Sequence, residues 1–240
     1  MASHEVILSG AQELAQGTMA FWFSKPAGFA FKPGQSISLE LIDPPAESNS
    51  TRRIFSLASA PFEPRLMIAT RMREESAFKR ALKALPASAR VRLQGPVGSF
   101  ALHDDVSRPA VFVAGGIGIT PFMSILRQAA RDRLPQRLLL AYSNRRPEDA
   151  AFLAELQEME RGHANFRLFA TMTEMTKSTR KWDGATGMVD AEFLKGLAAG
   201  VVAPVYYVVG PPAMVAAMQE ALRQTGVAED DVRTEEFYGY

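Results

Sequence analysis

After Ser107-Arg108-Pro109 the hydrophobic pattern of this 240-residue chain changes period, and the change confines it to a fold of two dissimilar parts. Before that point apolar residues come in short runs at 6–8, 19–23, 36–42, 53–58, 66–70 and 91–93, broken by Gly and Pro. Runs of that length and spacing predict a small antiparallel β-barrel. One helix interrupts them, because Phe78, Ala81, Leu82 and Leu85 fall at i, i+3, i+4 and i+7, with Ser76 as N-cap and Pro86 as the stop. Beyond Pro109, buried strands alternate with amphipathic helices at 110–114, 121–131, 137–142, 149–160, 166–171, 191–197, 205–209 and 213–224. Such alternation is the signature of a parallel sheet with helices on both faces. The expected division is a β-barrel domain over 1–106 and an α/β domain over 109–240, and the length suits two domains of ordinary size.

Composition narrows the function. Lys and Arg number 27 against 26 acids, so no charge excess points to nucleic acid or a membrane surface as a partner. With no cysteine, a disulfide, a CxxC redox pair and a cysteine-held iron-sulfur cluster in the chain are all excluded. His4, His103 and His163 are scattered, none at metal-site spacing, so no protein-bound metal is expected. The first residues lack the basic and apolar regions of a secretory signal, and no stretch reaches the ~20 apolar residues of a membrane span. A cytoplasmic location is the expectation.

Two segments carry recognisable chemistry. From Val111 to Pro121 a buried run enters Gly115-Gly116-Ile117-Gly118-Ile119-Thr120-Pro121 and then a helix, a geometry that offers free backbone N–H groups to a pyrophosphate. Glycine leaves room for phosphate to reach the main chain, Thr120 can cap the helix, and Pro121 can occupy its first turn without losing a hydrogen bond. The third glycine of the usual dinucleotide fingerprint is missing, and a tight strand-to-helix turn would read the same way. Arg53-Ile54-Phe55-Ser56 supplies a cation, a flat ring and a hydroxyl, with alternation sending Arg53 and Phe55 to one face of a strand and Ser56 to the other. A surface strand containing an arginine has the same appearance.

Taken in order, these segments resemble the ferredoxin-NADP reductase family over nearly the whole chain, from about Phe31 to Phe237. Phe31-Lys32-Pro33-Gly34-Gln35 looks like the family's turn into a barrel strand, and Gly95-Pro96-Val97-Gly98 like the turn closing the flavin domain. The resemblance implies that the barrel binds FAD: Arg53 holds the pyrophosphate, Phe55 stacks on the isoalloxazine, and Ser56 hydrogen-bonds the reactive flavin nitrogen. Arg71-x-Arg73-Glu74-Glu75-Ser76-Ala77-Phe78 stands where relatives carry a Gly-x-x-Ser/Thr phosphate turn. The glycine is not evident, so Ser76 and the N–H groups of Ala77 and Phe78 are what carries over, with Arg71 beside them; Glu74 and Glu75 either repel the anion or complement the helix dipole.

The same resemblance makes the α/β domain the NAD(P) domain. Gly116, Gly118, Thr120 and Pro121 match the nucleotide phosphate loop, and Gly210-Pro211-Pro212-Ala213-Met214 matches a Cys-Gly-Pro-Pro-x-Met segment beside the nicotinamide, with Val209 in place of the cysteine. Tyr142-Ser143-Asn144-Arg145-Arg146 ends the second parallel strand, where Ser143, Arg145 and Arg146 would meet the adenosine ribose. Arginine pairs well with a 2'-phosphate, which inclines the choice to NADPH, while Glu148 and Asp149 favour an unphosphorylated ribose. Glu235 and Phe237 match the family's Glu-x-aromatic ending; Phe237, Tyr238 or Tyr240 would cover the flavin, and Ser56 and Glu235 are the candidate catalytic residues. Trp182-Asp183-Gly184 echoes a family loop of structural character.

By this resemblance the chain is an FAD-dependent reductase that takes electrons from NADPH or NADH and gives them singly to a ferredoxin, a flavodoxin or an oxygenase component. Arg71, Arg73, Lys79, Arg80, Lys83, Arg90 and Arg92 form a basic stretch that either steers an acidic carrier or is a solvated face. The competing readings are a reductase of free flavin, ferric complexes or quinones, and a non-enzymatic FAD/NAD(P)-binding redox sensor.

Overall fold

The computed structural model describes residues 2–42 and 51–238. They form two compact units: Met1–Ala101 with Thr120–Gln128, and Leu102–Ile119 with Ala129–Tyr240.

In the first unit, among the described residues, six strands build one antiparallel sheet: β1 (Ser3–Ala15), β2 (Thr18–Ser24), β3 (Ser36–Leu41), β4 (Arg52–Ser56), β5 (Arg65–Arg71) and β6 (Arg90–Val97), in the order β4-β3-β6-β1-β2-β5. The sheet closes on itself, because a bridge between Leu57 and Ile68 joins the end of β4 to β5. The long β1 turns the corner. Its first half pairs with β6 from Ser3 opposite Gln94 to Ile7 opposite Arg90, and its second half with β2 from Leu8 opposite Phe23 onward, with an irregularity at Leu8/Gly10.

Closure explains the alternation in the sequence. Val6 and Leu8, Phe21 and Phe23, Ile37, Leu39 and Leu41, Phe55 and Leu57, Leu66 and Ile68, and Val91 and Leu93 are two apart, and all enter one core. Helix α1 (Ala77–Ala84) adds Phe78, Ala81 and Leu82 to it. Its N-cap and stop are as expected: the Ser76 hydroxyl accepts from the Lys79 N–H, and the helix ends at Leu85 before Pro86.

The second unit holds a parallel sheet in the order β10-β9-β8-β7-β11-β12: β7 (Ala110–Gly115), β8 (Leu138–Asn144), β9 (Phe166–Met172), β10 (Ala185–Thr186), β11 (Val205–Gly210) and β12 (Val232–Glu236). β7 is followed in the chain by α2 (Thr120–Asp132), of which Thr120–Gln128 belong to the first unit; the later helices are α3 (Leu153–Gly162), α4 (Ala191–Leu197) and α5 (Pro212–Gln224). β7 and β11 are buried along their whole length, as continuous apolar runs require. Val111, Val113, Tyr206 and Val208 meet Leu194 and Leu197 of α4 and Val215, Met218 and Leu222 of α5. The segment leading into β7 is tied down by His103, whose backbone N–H donates 2.9 Å to the Tyr207 hydroxyl while its Nδ1 lies 2.8 Å from the same oxygen.

Three elements depart from the sequence reading. α3 starts at Leu153 and not at 149, because Pro147–Asp149 form a 3-10 turn and Phe152 takes a left-handed φ of 61°. The buried Tyr142 hydroxyl donates 2.9 Å to the Ala151 carbonyl, which fixes that bend. β10 and β12 were not expected: one is two residues long, and the other reads Val-Arg-Thr-Glu-Glu, a polar edge strand without an apolar run.

Because Phe21 is fully enclosed in the barrel core, Phe21→Ala is expected to destabilise the first unit by ~3–5 kcal/mol. Urea unfolding followed by tryptophan fluorescence measures this; a loss under ~1 kcal/mol would contradict the packing described.

Candidate functional site

In the first unit, cations gather where α1 begins. Arg53 on β4 sits with its guanidinium 5.9 Å from the Phe78 ring centre, and the Lys79 ammonium donates 2.8 Å to the Arg71 carbonyl. Burial, and then the charges of Arg73 and Arg53, push the Lys79 ammonium down to about 8. The Nε of Arg73 is buried without a hydrogen-bond partner among the described residues. Like charges held together beside an orphaned donor are an unfavourable arrangement that a bound anion relieves. A pyrophosphate fits this place, and these side chains supply positive charge where the glycine turn is absent. Ser76 keeps its hydroxyl proton for such an anion, since it accepts from Lys79. The Arg80 guanidinium donates to the Glu74 carbonyl.

β4 presents Arg53-Ile54-Phe55-Ser56 opposite β3, with Phe55 across from Ile37 and Ser56 across from Ser36. Arg53 and Phe55 share the Phe78 side, as alternation requires, and the Phe55 ring lies 5.9 Å from that of Phe78. Phe55 is 8% exposed and Ile54 67%, so the strand's open surface belongs to Ile54 and Arg53. The Ser56 hydroxyl accepts from Ser36 at 3.3 Å. The two turns singled out in the sequence meet: Gln35 Nε2 donates 2.8 Å to the Gly98 carbonyl, and Gln35 Oε1 accepts from the Lys32 N–H at 2.7 Å.

In the second unit β7 leads to β8 on one side and β11 lies on the other, which makes the β7/β11 boundary the sheet's switch point, where parallel folds open a ligand crevice. Gly115 and Gly210 end these two strands. Their turns touch backbone to backbone. A Cβ on Gly118 would overlap the Val209 carbonyl, with the carbonyl carbon at 2.7 Å; one on Gly115 would strike Met214 and lie 3.0 Å from Pro211 Cδ. These two glycines are therefore required by chain-to-chain packing, and Gly116 by its φ of 52°. This packing is the tight strand-to-helix turn that the sequence also allowed. Contrary to expectation, Thr120 does not cap α2: a 3-10 turn over Gly116–Ile119 runs straight into the helix, Ile119 stands at the cap position without a side-chain bond, and Pro121 is in the first turn.

β12 brings the C-terminal residues to the same strand ends. Glu235 pairs opposite Val209 and Glu236 opposite Gly210, and the Phe237 N–H donates 2.9 Å to the Gly210 carbonyl. Burial pushes the Glu235 carboxyl up to about 7, so it can hold or release a proton near neutrality. Tyr238 is exposed and donates to Glu236; Tyr240 lies outside the described residues.

At the end of β8, Arg146 is bound by Asp149 through two 2.8 Å bonds and Arg145 lies 3.7 Å from Glu174. Ser143 pairs opposite Gly115 and Thr171. Pattern reading passed over Glu174, which lies beyond β9 and is adjacent only in space. Trp182 donates 2.8 Å to the Ala185 carbonyl and covers Gly184, a structural part. Of the basic stretch, Arg90 pairs with Glu5 at 2.8 Å and Arg92 with Glu40 at 3.2 Å, while Lys79 belongs to the cation cluster and not to a solvated face.

Among the described residues, the first unit is a six-stranded antiparallel barrel and the second carries a six-stranded parallel sheet. Residues 112–220 match the family model "Oxidoreductase NAD-binding domain". The chain is 32% identical over 216 residues to ferredoxin-NADP reductase B of Sorangium cellulosum, covering 87% of this chain and 86% of that protein. It is 27% identical to the reductase component of propane 2-monooxygenase from Rhodococcus jostii, covering 89% of this chain but only 57% of that one. The fold superposes with a TM-score of 0.80 on a Neisseria gonorrhoeae ferredoxin NADP+ reductase with bound FAD and NADP, at 19% identity and 98% coverage of both chains. The chain belongs to the ferredoxin-NADP reductase family. It is a flavin oxidoreductase that binds FAD and a nicotinamide dinucleotide. No helix among the described residues is long and apolar enough to cross a membrane.

Gly118→Ala is expected to weaken NAD+ binding about tenfold or more and to cost ~1–3 kcal/mol of stability through overpacking, whereas Gly196→Ala, with open space around it in α4, is neutral or stabilising. Calorimetric NAD+ titration and thermal melts of both variants check this; equal behaviour of the pair would refute the packing role.

Proposed function

We propose that the chain draws electrons from a nicotinamide dinucleotide into FAD and passes them singly to a separate protein carrier, a ferredoxin, a flavodoxin or an oxygenase component. The observation that carries this reading is the juxtaposition of the Gly115–Gly118 and Gly210–Met214 segments at the switch point of the parallel sheet. FAD, when bound, supplies the exchange between a two-electron donor and a one-electron acceptor. Functionally, we assign residues 1–106 to FAD and 109–240 to the dinucleotide, and place the protein in the cytoplasm.

The side chains divide the work. Arg53, Arg73 and Lys79 neutralise the FAD pyrophosphate, joined by the Ser76 hydroxyl and the N–H of Ala77; Arg71 orients Lys79 through its carbonyl. Ile54, Phe55 and Ser56 of β4 are assigned to the flavin by the family resemblance. Gly116, Gly118, Thr120 and Pro121 cradle the dinucleotide phosphates, while Gly210, Pro211, Pro212 and Met214 shape the nicotinamide end, flanked by Phe237. Ser56 and Glu235 position protons, and Glu235 is suited to this because its carboxyl titrates near neutrality. With no cysteine, these 240 residues hold no cysteine-bound cluster.

Two measurements test the assignment. Anaerobic titration of the yellow protein with NADH and NADPH should bleach the flavin bands, and turnover should then depend on an added ferredoxin-type carrier. Bleaching with carrier-independent turnover would favour a reductase of small acceptors, and an unbleachable flavin would favour a sensor. The second concerns Lys79. A bound pyrophosphate favours its ammonium form, which the free protein loses above about pH 8, so FAD affinity should fall about tenfold between about pH 7 and pH 9. Lys79→Met should bind FAD more weakly at neutral pH and lose that dependence; an unchanged pH profile by fluorescence titration would remove Lys79 from the pyrophosphate site.

A further inference from the structure

Arg145 and Arg146 follow β8, the neighbour of the strand bearing the glycine turn. In parallel nucleotide-binding sheets that strand end meets the adenosine ribose, where arginine accommodates a 2'-phosphate and a carboxylate accepts from a 2'-hydroxyl. The Arg146 guanidinium is not at liberty to do so, and that of Arg145 faces a carboxylate. Arg146 spends Nε and Nη2 on Oδ2 and Oδ1 of Asp149, both at 2.8 Å, and its Nη1 donates 3.5 Å to the Lys177 carbonyl. The Asp149 side chain is only 3% exposed, so taking Arg146 away would strand an enclosed carboxylate.

Arg145 faces Glu174, with Nε 3.7 Å from Oε1, and the two residues are also joined through the backbone, the Glu174 N–H donating 2.8 Å to the Arg145 carbonyl. The other Glu174 oxygen accepts from Lys177 at 2.7 Å. Glu148 adds a third carboxylate to the same loops. Burial opposes its charge, yet donors from Ser178, Thr179 and the Arg180 N–H hold it down to about 2. A phosphate dianion arriving here must displace Asp149 from Arg146 or share Arg145 with Glu174, whose charge Arg145 and Lys177 already face. A neutral hydroxyl displaces nothing.

We infer that the dinucleotide of this chain is NADH, and that Asp149, by occupying the Arg146 guanidinium, and Glu174, by facing Arg145, exclude the 2'-phosphate. The inference rests on the proposed reductase reading, in which the second unit takes the dinucleotide. It replaces the inclination to NADPH that the arginines raise in the sequence, where their carboxylate partners across the loop are invisible.

Calorimetric titration of the FAD-loaded protein with NAD+ and NADP+ reads this without turnover. The wild type should bind NAD+ about tenfold or more tightly than NADP+, a discrimination built from one repulsive contact set. Glu174→Gln leaves Arg145 to a phosphate and should raise NADP+ affinity relative to NAD+ about threefold, the scale of one exposed ion pair. Asp149→Asn, checked for folding by a thermal melt, should shift the ratio further, about tenfold, because Arg146 is bidentate. The Glu174 variant keeps the test decisive should the Asp149 variant fail to fold, since the Glu174 side chain is partly exposed. NADP+ bound as tightly as NAD+ by the wild type, or a ratio unmoved in Glu174→Gln, overturns the inference. Binding of neither nucleotide overturns the reductase reading itself, and this inference with it.

Discussion

The approach of Gly118 to the Val209 carbonyl sets the geometry on which the nucleotide end of the molecule depends. Two strands of a parallel sheet, β7 and β11, must finish level with one another. Only residues without a side chain allow the two turns to nest. Met214, the first apolar residue of the α5 stripe, closes the gap left by Gly115 and Gly210, so side-chain volume is moved from the turn to the helix. β12 then pairs with β11, and the backbone of Phe237 ends on Gly210.

The barrel unit solves a different problem. A small closed sheet has few places for charge except its rim, and here the rim gathers Arg53, Arg73 and Lys79 around a helix start. The depressed Lys79 and the unpartnered Arg73 Nε mark an arrangement that is electrostatically incomplete in the protein alone. The family resemblance implies a glycine turn at this helix start, where this chain places long cationic side chains.

At the end of β8 the charges are internally balanced, and the balance decides what the arginines mean. Arg146 serves as a staple for the turn over Pro147–Asp149, with Asp149 N–H donating back to the Arg146 carbonyl at 3.0 Å. Glu148 fastens the 178–180 segment through its two oxygens. Arginine at such a position is a specificity element only if its donors are uncommitted.

Much was legible in the sequence because it depends on local order. The i, i+2 pairs of the barrel, the Ser76 cap, the buried runs of β7 and β11 and the glycine turns all follow from period, propensity and composition, which neighbouring residues express without help from the rest of the chain. The absence of cysteine settled the lack of an internal cluster in the same direct way. What only the tertiary structure decided lies between residues far apart: the polar edge strand β12, formed because β11 offers an unpaired side; the bend at Phe152, fixed by Tyr142; the nesting of Gly118 on Val209; and the pairing of Arg145 with Glu174 across two strands. Hydrogen bonds and ion pairs of this kind depend on distance in space, and sequence separation carries no record of it.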